Sequence, residues 1–408
     1  MSDSSLSELH ETGLPKTAMG AHYPKMMAHR TTDKRSDTRG LRCFALLCLF
    51  LLAPFQSASA TSSGPEDADL DMRLVAASEI APQWPPDLII DGTWSDACLP
   101  SLLRTRVVDF DIDIHLRSDG RACAAVRTTF QLKVNPARES GLNQLPLGIY
   151  RVRLFLSHAN GSNELIAFRL LRSGGDDRRS RPESGFWWSV PTANNIPALS
   201  GNGLSIEQQG DTLAVTWLSY ESGAPAWYFG SQTMSGKIAR IALSRMAGGG
   251  EAFAGPNAPP EIEPGLALNI EFLTPAHANA WLVRGQPGST RTIEVQDLNL
   301  VRLPFEEGHP GKGWQGDWAL VVGDAAEARI IELTRPDMAD AETFRVSDRL
   351  GSIKLQCRLD DVGNHPVASF CTLTDGASVL ADFDQVGLDR LSGLNADGVP
   401  VRLVRLPH

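Results

Sequence analysis

The sequence predicts an all-β protein with a small N-terminal β-sandwich, a central antiparallel barrel or curled meander, and a smaller C-terminal β domain. Glycine and proline are frequent, with 36 and 26 of the 408 residues, and this favours short strands joined by turns over long helices. Runs of alternating apolar and polar residues recur at short spacing, as in strands with one buried face. The hydrophobic fraction of 42% is ordinary for a globular protein and excludes collagen-like, wholly disordered and polytopic membrane chains.

Residues 1–60 have the pattern of a secretory signal peptide. A basic stretch that ends at Arg42 precedes an apolar run at 43–55, which is too short to cross a bilayer as a helix. The Ala-Ser-Ala sequence at 58–60 fits a signal peptidase site. We therefore expect cleavage after Ala60, no membrane span in the mature chain, and a periplasmic, cell-surface or extracellular location. A short membrane anchor is the alternative, and the polar residues upstream of the signal are interpreted as a mis-assigned N-terminal extension.

Four cysteines follow the signal: Cys98, Cys123, Cys357 and Cys371. An even number of cysteines in an exported chain predicts disulfide bonds. Proximity along the chain favours the pairs Cys98–Cys123 and Cys357–Cys371 among the three pairings. A zinc site is the alternative, but the sequence has no Cys-x-x-Cys or histidine-rich spacing to support it. We expect no metal ion and no cofactor.

The first folded region is predicted at 84–172, after a flexible leader at 61–83 that is rich in Ser, Ala and Asp. Short strands separated by turns are typical of a β-sandwich. The predicted strands are 107–116, 124–134, 148–156 and 165–171. The segment 145–154, Leu-Pro-Leu-Gly-Ile-Tyr-Arg-Val-Arg-Leu, resembles a strand of immunoglobulin-like modules in exported bacterial proteins.

Alternate positions of the strand at 107–116 place Asp109, Asp111, Asp113 and His115 on one face. Such a row has the ligand types of a cation site. It is also typical of the solvated face of a half-buried strand, and we favour this second interpretation.

A polar, glycine-containing linker is predicted at 173–182, and a tryptophan-rich module at 183–305. The strands predicted in this module are 185–189, 203–209, 212–220, 225–233, 236–245, 266–273, 279–284 and 291–303. Antiparallel strands with such short connections form an up-and-down barrel or a curled meander.

The module at 183–305 resembles a β module of uncharacterised exported proteins of Gram-negative bacteria. Its pattern consists of G-x-W-W, sG-x-G-[FL]-x-I-[ED], W-[FL]-[TS]-Y, G-x-P-x-W-Y and R-[LF]-P-F. The matching residues are Gly185, Trp187, Trp188, Ser200, Gly201, Gly203, Ile206, Trp217, Tyr220, Gly223, Pro225, Trp227, Tyr228 and the segment 302–305. The chain departs from the pattern at 192–199, where the connection is longer. The family has no assigned activity, so the resemblance implies an exported location and a β fold but no chemistry. The glycine–aromatic–tryptophan opening is also similar in architecture to that of lipocalins and avidins.

The C-terminal region is predicted at 311–408. The predicted strands are 354–359, 368–374, 379–383 and 401–406. The opening at 313–318, Gly-Trp-Gln-Gly-Asp-Trp, contains a second Gly-x-Trp, which indicates a diverged and smaller copy of the middle module. A short helix is the expectation for 337–346.

Aromatic residues of the middle module are the candidate ligand-binding residues, because aromatic rings stack on flat apolar faces such as those of sugars. They are Trp187, Trp188, Trp217, Tyr220, Trp227 and Tyr228. Neighbours along a strand point to opposite faces, so one member of each adjacent pair should face outwards. By the same rule Trp217 and Tyr220 should lie on opposite faces. The alternative is that these rings are core packing, with the remainder forming surface or domain contacts.

Charge and motif content restrict the function. A formal net charge of -10 argues against nucleic acid, which requires a concentrated basic surface. The sequence has no Gly-x-Ser-x-Gly and no His-Glu-x-x-His, so we expect no catalytic residues. We expect a binding protein for polysaccharide or cell-wall polymer, with Asn202, Gln208 and Gln209 complementing hydroxyl groups. A scaffold or assembly partner of another exported protein is the first alternative, and a hydrolase with scattered carboxylates is the second.

Overall fold

A computed structural model describes residues 87–118, 123–174, 180–191, 201–248, 261–285, 292–304, 310–325, 327–363 and 365–407, and the backbone of 73–76. Of residues 261–264 the backbone alone is described. Strands contain 68% of the described residues and helices 3%, which confirms the all-β fold class. The signal peptide predicted at 1–60 lies outside the described residues. Within the described ranges, no helix has the length and apolar character needed to cross a membrane.

The N-terminal part is a β-sandwich, as predicted. Its strands are β1 (Arg73–Ala76), β2 (Leu88–Trp94), β3 (Ser101–Val108), β4 (Asp111–Arg117), β5 (Thr128–Val134), β6 (Gly148–Ser157) and β7 (Asn163–Ser173), with the short helix α1 (Pro136–Glu139) after β5. One sheet has the order β1-β2-β5 and the other β3-β4-β6-β7, in which β4 and β6 are parallel. Ile90 and Trp94 of the first sheet share one core with Ile114 and Leu154 of the second. The strand β1 lies within the segment predicted as a flexible leader.

The prediction of a single strand at 107–116 is wrong, because a turn divides this segment near its N-terminal end. Asp109, with φ 51°, and Phe110 form a tight turn between β3 and β4. Phe110 is exposed, whereas Ile112 and Ile114 are buried as the alternation predicts. A two-residue turn places Val108 opposite Asp111, so the inward-facing positions change from odd numbers such as Val107 to even numbers such as Ile112. The unbroken alternation of Val108, Phe110 and Ile112 in the sequence therefore concealed the turn.

The middle part is a closed barrel of antiparallel strands. They are β8 (Gly185–Val190), β9 (Gly203–Gln209), β10 (Thr212–Glu221), β11 (Ala224–Thr233), β12 (Ile238–Ala247), β13 (Glu261–Thr274), β14 (His277–Gly285) and β15 (Ile293–Arg302). Each strand pairs with the next along the chain, and β8 pairs with β15 to close the barrel. The eight strands predicted in this module each overlap one of them. Inward-facing side chains such as Ile206, Ile241 and Leu300 fill the interior, which is therefore a packed core.

The C-terminal part is a nearly closed sheet of nine strands. A 3-10 turn (Pro310–Trp314) leads into β16 (Gly316–Val322), β17 (Arg329–Leu333), β18 (Arg335–Asp340), β19 (Thr343–Ser347), β20 (Ile353–Val362), β21 (His365–Asp375), β22 (Ser378–Val386), β23 (Arg390–Leu394) and β24 (Pro400–Arg405). Their order is β17-β16-β24-β23-β22-β21-β20-β19-β18. The helix expected at 337–346 is wrong, because β18 and β19 form a hairpin there. Phe344 and Val346 are buried on either side of the less buried Arg345, which is the two-residue period of a strand.

Both predicted disulfide pairs are present. The Cys98–Cys123 bond joins the segment after β2 to the segment before β5, with a Cα–Cα distance of 5.8 Å. The Cys357–Cys371 bond joins directly opposed, buried residues of β20 and β21, with a Cα–Cα distance of 4.1 Å. Cysteines oxidised to each other offer no thiolate to a metal, which removes the zinc alternative.

The two barrels begin in the same way. The Trp187 indole nitrogen donates a hydrogen bond to the Glu183 carbonyl oxygen at 3.1 Å, four residues earlier. The Trp318 indole nitrogen donates to the Trp314 carbonyl oxygen at 2.9 Å, also four residues earlier. Both rings are buried in the core of their own barrel. The second Gly-x-Trp thus has the same structural role as the first.

The last strand of the barrel and the last strand of the C-terminal sheet also end in the same way. The last strand of each ends in Val-Arg-Leu-Pro, at 301–304 and 404–407. Arg302 donates to the Ser184 carbonyl oxygen at 3.1 Å, and Arg405 donates to the Gln315 carbonyl oxygen at 2.9 Å. Ser184 and Gln315 each stand directly before the glycine of Gly-x-Trp. These repeated contacts support the expectation that the C-terminal region is a diverged copy of the middle module.

Side-chain contacts join the sandwich to the barrel. The rings of Phe168 on β7 and Trp281 on β14 lie with their centroids 6.0 Å apart. Asp297 on β15 interacts with Arg151 and Arg153 on β6. Burial raises the pKa of Asp297, and the attraction of the two arginines opposes this shift.

Glu183, just before β8, joins the barrel to the C-terminal sheet. Its buried carboxylate accepts backbone N–H hydrogen bonds from Leu388, Asp389 and Arg390 at 2.8, 2.8 and 2.9 Å. Burial raises the pKa of Glu183, and these hydrogen bonds to the charged form oppose the shift. One side chain thus ties the start of one barrel to the loop before β23 of the other.

Candidate functional site

The barrel core contains three of the six candidate aromatic residues. Trp187, Trp217 and Tyr228 point inwards and are buried. Their rings pack against other core side chains, as Trp187 does against Phe272 with ring centroids 5.7 Å apart. These three rings have no face open to a ligand.

Trp188 lies at a domain contact. It faces the outside of β8 and packs with Val190 and Val301 of the barrel and with Val362 of β20. The outward orientation agrees with the expectation for the Trp187–Trp188 pair, but the C-terminal sheet covers part of the ring. Trp188 therefore contributes to the junction of the two barrels.

Tyr220 and Trp227 face solvent on the outside of the barrel, 58% and 48% exposed. The expected opposition of Trp217 to Tyr220 and of Trp227 to Tyr228 is therefore confirmed. Leu218 and Phe229, 37% and 41% exposed, face the same side of the β10–β11 hairpin. We refer to these four residues as the aromatic hairpin face. It is the surface on which two of the six predicted residues come together.

The strand register makes the aromatic hairpin face continuous. Leu218 pairs directly with Trp227, and Thr216 pairs with Phe229. Tyr220 pairs with Pro225, one outward position further along β10. Side chains directly opposed or diagonal on one face of a hairpin lie within contact distance for large rings. The apolar groups therefore form one patch, with the Thr216 hydroxyl at its edge.

Glycines of the second motif make room for aromatic rings beside this patch. A Cβ atom on Gly201 would lie 3.0 Å from Cε2 of Tyr220, so the tyrosine ring packs against bare backbone. A Cβ on Gly203 would lie 3.0 Å from Cε1 of Phe186 and 3.4 Å from Cε3 of Trp188. The G-x-G spacing thus follows from the close packing of rings across β8, β9 and β10.

Ion pairs fix the end of the barrel next to the hairpin turn. The hydroxyl of Tyr228 donates to the carboxylate of Glu221, which also pairs with Arg245 at 3.1 Å. Burial and the hydrogen bond to Glu221 raise the pKa of Tyr228 to about 12. Arg284 and Glu294 pair at 2.7 Å on β14 and β15. Contacts of Glu221 therefore join the hairpin that carries the exposed rings to β12.

The polar residues predicted to assist binding are separated from each other. Asn202 is buried at the end of β9 that lies near Tyr220. Gln208 and Gln209 lie at the other end of β9, and Gln208 donates to the Gly210 carbonyl oxygen at 3.0 Å. The three side chains do not converge on the aromatic hairpin face.

The aspartates of β4 pair with arginines of the neighbouring parallel strand. Arg151 Nε lies 2.6 Å from Asp111 Oδ1, and Arg153 Nε lies 2.7 Å from Asp113 Oδ1. These pairs follow the register, in which Asp111 is opposite Arg151 and Asp113 opposite Arg153. The row is an ion-pair ladder, and its carboxylates are already occupied by guanidinium groups.

His115 and Ser157 form a Ser–His contact within the described part of the chain. Nδ1 of His115 lies 3.4 Å from Oγ of Ser157, and that hydroxyl donates to Oδ1 of Asn163 at 2.5 Å. Both residues are buried, and the histidine ring stacks on Phe155 at a centroid distance of 4.9 Å. Burial lowers the pKa of His115, with a smaller contribution from Arg104. The contact therefore lies among packed side chains of the sandwich.

Sequence reasoning missed Leu218 and Phe229 as members of the exposed patch. A signal was present, because both stand one position from a candidate residue in strands with clear alternation. Once Trp217 and Tyr228 are known to face inwards, their neighbours must face outwards.

The chain matches no model of a protein family and no curated protein. Its function is therefore argued from the geometry of the aromatic hairpin face and of the surfaces around it.

Proposed function

We propose that this chain is an exported, non-catalytic binding protein that recognises a polysaccharide or cell-wall polymer through the aromatic hairpin face. The observation that carries the proposal is the exposure of Tyr220, Trp227 and Phe229 on one side of two paired strands. Large apolar residues in contact with each other and open to solvent mark binding surfaces in soluble proteins. A row of rings on an extended hairpin suits a polymer, because successive sugars can stack along it.

Three further observations support the exported setting and the position of the site. Disulfide bonds persist in oxidising compartments, and this chain has two of them. The barrel interior is filled by its own side chains, which leaves the outer surface for a ligand. Hydroxyl groups of Ser205 and Thr216 flank the patch in the strand register and match sugar hydroxyls in chemistry.

A scaffold or assembly function is the second candidate. It is favoured by the position of Leu218 among the rings and by the location of the patch on the outside of a barrel. An apolar surface with few converging polar groups suits a protein partner. The two candidates share the same surface and differ in what covers it.

The test is calorimetric titration of the exported protein with soluble polysaccharides and peptidoglycan fragments, together with intrinsic tryptophan fluorescence. We expect a saturable signal and a fluorescence shift, because Trp227 is exposed. Tyr220→Ala keeps Trp227 as a reporter and should weaken binding roughly fivefold to tenfold through the loss of one stacking ring.

The matched control is Phe370→Ala, which removes an exposed ring from the outer face of the C-terminal sheet. It should leave the affinity unchanged. Absence of a signal across the panel, from protein that is folded, would reject the polysaccharide proposal and leave the scaffold function. Equal losses in Tyr220→Ala and Phe370→Ala would show that the aromatic hairpin face is not the site.

A further inference from the structure

A cleft of about 370 Å³ lies where the sandwich meets the barrel. Its lining comes from β7 on one side and from β11, β12, β13 and the β11–β12 turn on the other. The lining residues are Arg169, Leu170, Gln232, Thr233, Ser235, Ile238, Ala239, Arg240 and Asn269. Clefts between domains with an apolar floor and a few polar groups are common sites for small molecules, and this volume is at the small end of their range. The cleft meets β11 at the end remote from the turn beside Tyr220, so it is separate from the aromatic hairpin face.

Asn269 is the most unusual residue of the cleft. It faces the outside of β13 yet is only 1% exposed. Its side-chain amide nitrogen has no hydrogen-bond partner among the residues that the structure describes. A buried donor without an acceptor is costly, and native proteins rarely keep one without a reason. Asn269 is one of the lining residues of the cleft, so a molecule bound there would lie next to this buried amide.

The charge of the cleft is positive although the protein is acidic. Arg240 lines it beside Arg169, which has an interaction partner of its own, and the part of the lining that the structure describes contains no Asp or Glu. The nearest acidic side chain on β13, Glu271, pairs with Lys237 at 3.0 Å. A second arginine of β7, Arg172, lies against Gly236 at the β11–β12 turn. In a chain with a formal net charge of -10, this concentration of cations attracts anions locally.

We propose that the cleft binds a small, oxyanion-bearing molecule of about monosaccharide size. The Arg240 guanidinium is the group that pairs with the oxyanion, since guanidinium matches carboxylate and phosphate with two parallel hydrogen bonds. The Asn269 amide donates to a second oxygen of the ligand. Leu170 and Ile238 provide the apolar floor for the rest of the molecule. Glucuronate and glucose 6-phosphate are the probes that present this chemistry on the same ring with two different anions.

Isothermal titration calorimetry of the exported protein with glucuronate, glucose 6-phosphate and uncharged glucose tests the proposal. We expect saturable binding of at least one anionic sugar, weakening as salt is added, and none of glucose. The comparison between the two anionic probes distinguishes a carboxylate from a phosphate ligand. Arg240→Gln should weaken the binding roughly tenfold or more, because a charged hydrogen-bonding partner is lost.

Asn269→Leu provides a second variant. Because the buried amide nitrogen of Asn269 has no hydrogen-bond partner among the described residues, its exchange for an apolar group of similar size should cost little stability. It should still weaken binding roughly fivefold or more, through loss of a donor to the anion. Arg335→Gln, which removes an exposed cation from β18, is the matched control and should have no effect. Tyr220→Ala should also leave this binding unchanged, which separates the cleft from the proposed polymer site.

Two outcomes would overturn the proposal. One is that neither anionic sugar shows saturable binding to folded protein. The other is binding that survives unchanged in both Arg240→Gln and Asn269→Leu, which would place the anion elsewhere.

Discussion

Arg302 and Arg405 occupy equivalent places, each at the end of the last strand of its module, where that strand pairs with the first strand. Each guanidinium donates to a backbone carbonyl directly before a Gly-x-Trp sequence, at Ser184 and at Gln315. Arg405 also donates to the Gly313 carbonyl oxygen at 3.0 Å. These carbonyl oxygens precede the first strand and accept no hydrogen bond from a neighbouring strand that the structure describes, so the arginine provides their donor. A single side chain thereby joins the first and last strands of the barrel, and another joins those of the C-terminal sheet.

Backbone geometry explains why glycine stands at the first position of Gly-x-Trp. Gly185 has φ 129° and Gly316 has φ 128°, a region that side-chain-bearing residues rarely adopt. A Cβ on Gly185 would also lie 2.5 Å from Cζ of Arg302. Glycine is required there both by the backbone and by the arginine that covers it.

Replacing Arg405 with Met should destabilise the C-terminal sheet. The change keeps an apolar stem but leaves the Gly313 and Gln315 carbonyl oxygens without their charged donor, at a cost of about 1–3 kcal/mol in the free energy of unfolding. Urea unfolding followed by tryptophan fluorescence measures it. Arg402→Met on the same strand, where the side chain is exposed, should change the free energy by less than about 0.5 kcal/mol. Equal effects of the two substitutions would contradict the role assigned to Arg405.

Alternation along the strands predicted that the aromatic pairs would split between core and surface, and it could not predict which member faces inwards. That choice depends on how the barrel closes, through the pairing of Trp188 with Val301 more than 100 residues later. The partial burial of Trp188 depends on Val362, which comes from a different sheet. Sequence periodicity is local, whereas these contacts are set by topology.

At the scale of elements, the strands of the middle barrel could be predicted because every connection is short and every strand has one buried face. The helix expected at 337–346 fails for the opposite reason. The segment contains Asp, Glu and Ala, and its ten residues are too few to distinguish the apolar period of a helix from that of a strand. The segment forms strands because β19 pairs with β18 on one side and with β20 on the other. The cleft could not be predicted at all, because Arg240 and Asn269 reach it through β-pairing and β7 reaches it through domain packing.

The β20–β21 hairpin is the element whose stability depends on a covalent bond. Cys357 and Cys371 are opposed in the register and buried in the barrel core. Replacing both with Ala should lower the free energy of unfolding of the C-terminal sheet by about 2–4 kcal/mol, since the unfolded chain regains the freedom of the closed loop. Urea unfolding monitors the effect. The same double replacement of Cys98 and Cys123 should move the transition of the sandwich instead. An unchanged transition of the C-terminal sheet after loss of Cys357–Cys371 would argue against this assignment.

At the scale of the whole molecule, side chains between the three β bodies are more polar than those within them. Glu183 receives three backbone N–H groups from the C-terminal sheet, and Asp297 faces Arg151 and Arg153 of the sandwich. Polar contacts of this kind fix geometry, because a buried charge is tolerated only in the arrangement that satisfies it. The cleft of the proposed small-molecule site lies between sandwich and barrel, so it depends on the junction of Asp297 with Arg151 and Arg153.

His277 makes one of these junctions sensitive to pH. It lies on the outside of β14, with Nε2 2.8 Å from Oδ1 of Asn299, and Asp360 of the C-terminal sheet interacts with it. Burial lowers the pKa of His277 below its ordinary value of 6.5, although the bond to Asn299 and the charge of Asp360 act in the other direction. The unfolded chain therefore binds a proton more readily than the folded chain. The contribution of neutral His277 to the free energy of unfolding is therefore fully present above pH 6.5. It is lost as the pH falls towards the lower pKa of the folded state.

His277→Gln should reduce this acid sensitivity, because glutamine can still hydrogen-bond to Asn299 but takes up no proton. Urea unfolding at several pH values between 8 and 5 measures the free energy of unfolding of the protein and the variant. We expect the difference between them to shrink or reverse in favour of the variant as the pH is lowered. A remaining slope of the same sign is expected in both from His115, whose pKa is also lowered. Glu183 contributes with the opposite sign, because its raised pKa means that the folded chain takes up its proton more readily than the unfolded chain. His365→Gln, at an exposed position, serves as the control. Parallel pH profiles for the protein and His277→Gln would show that burial at this junction does not disfavour protonation of His277, which would contradict the prediction.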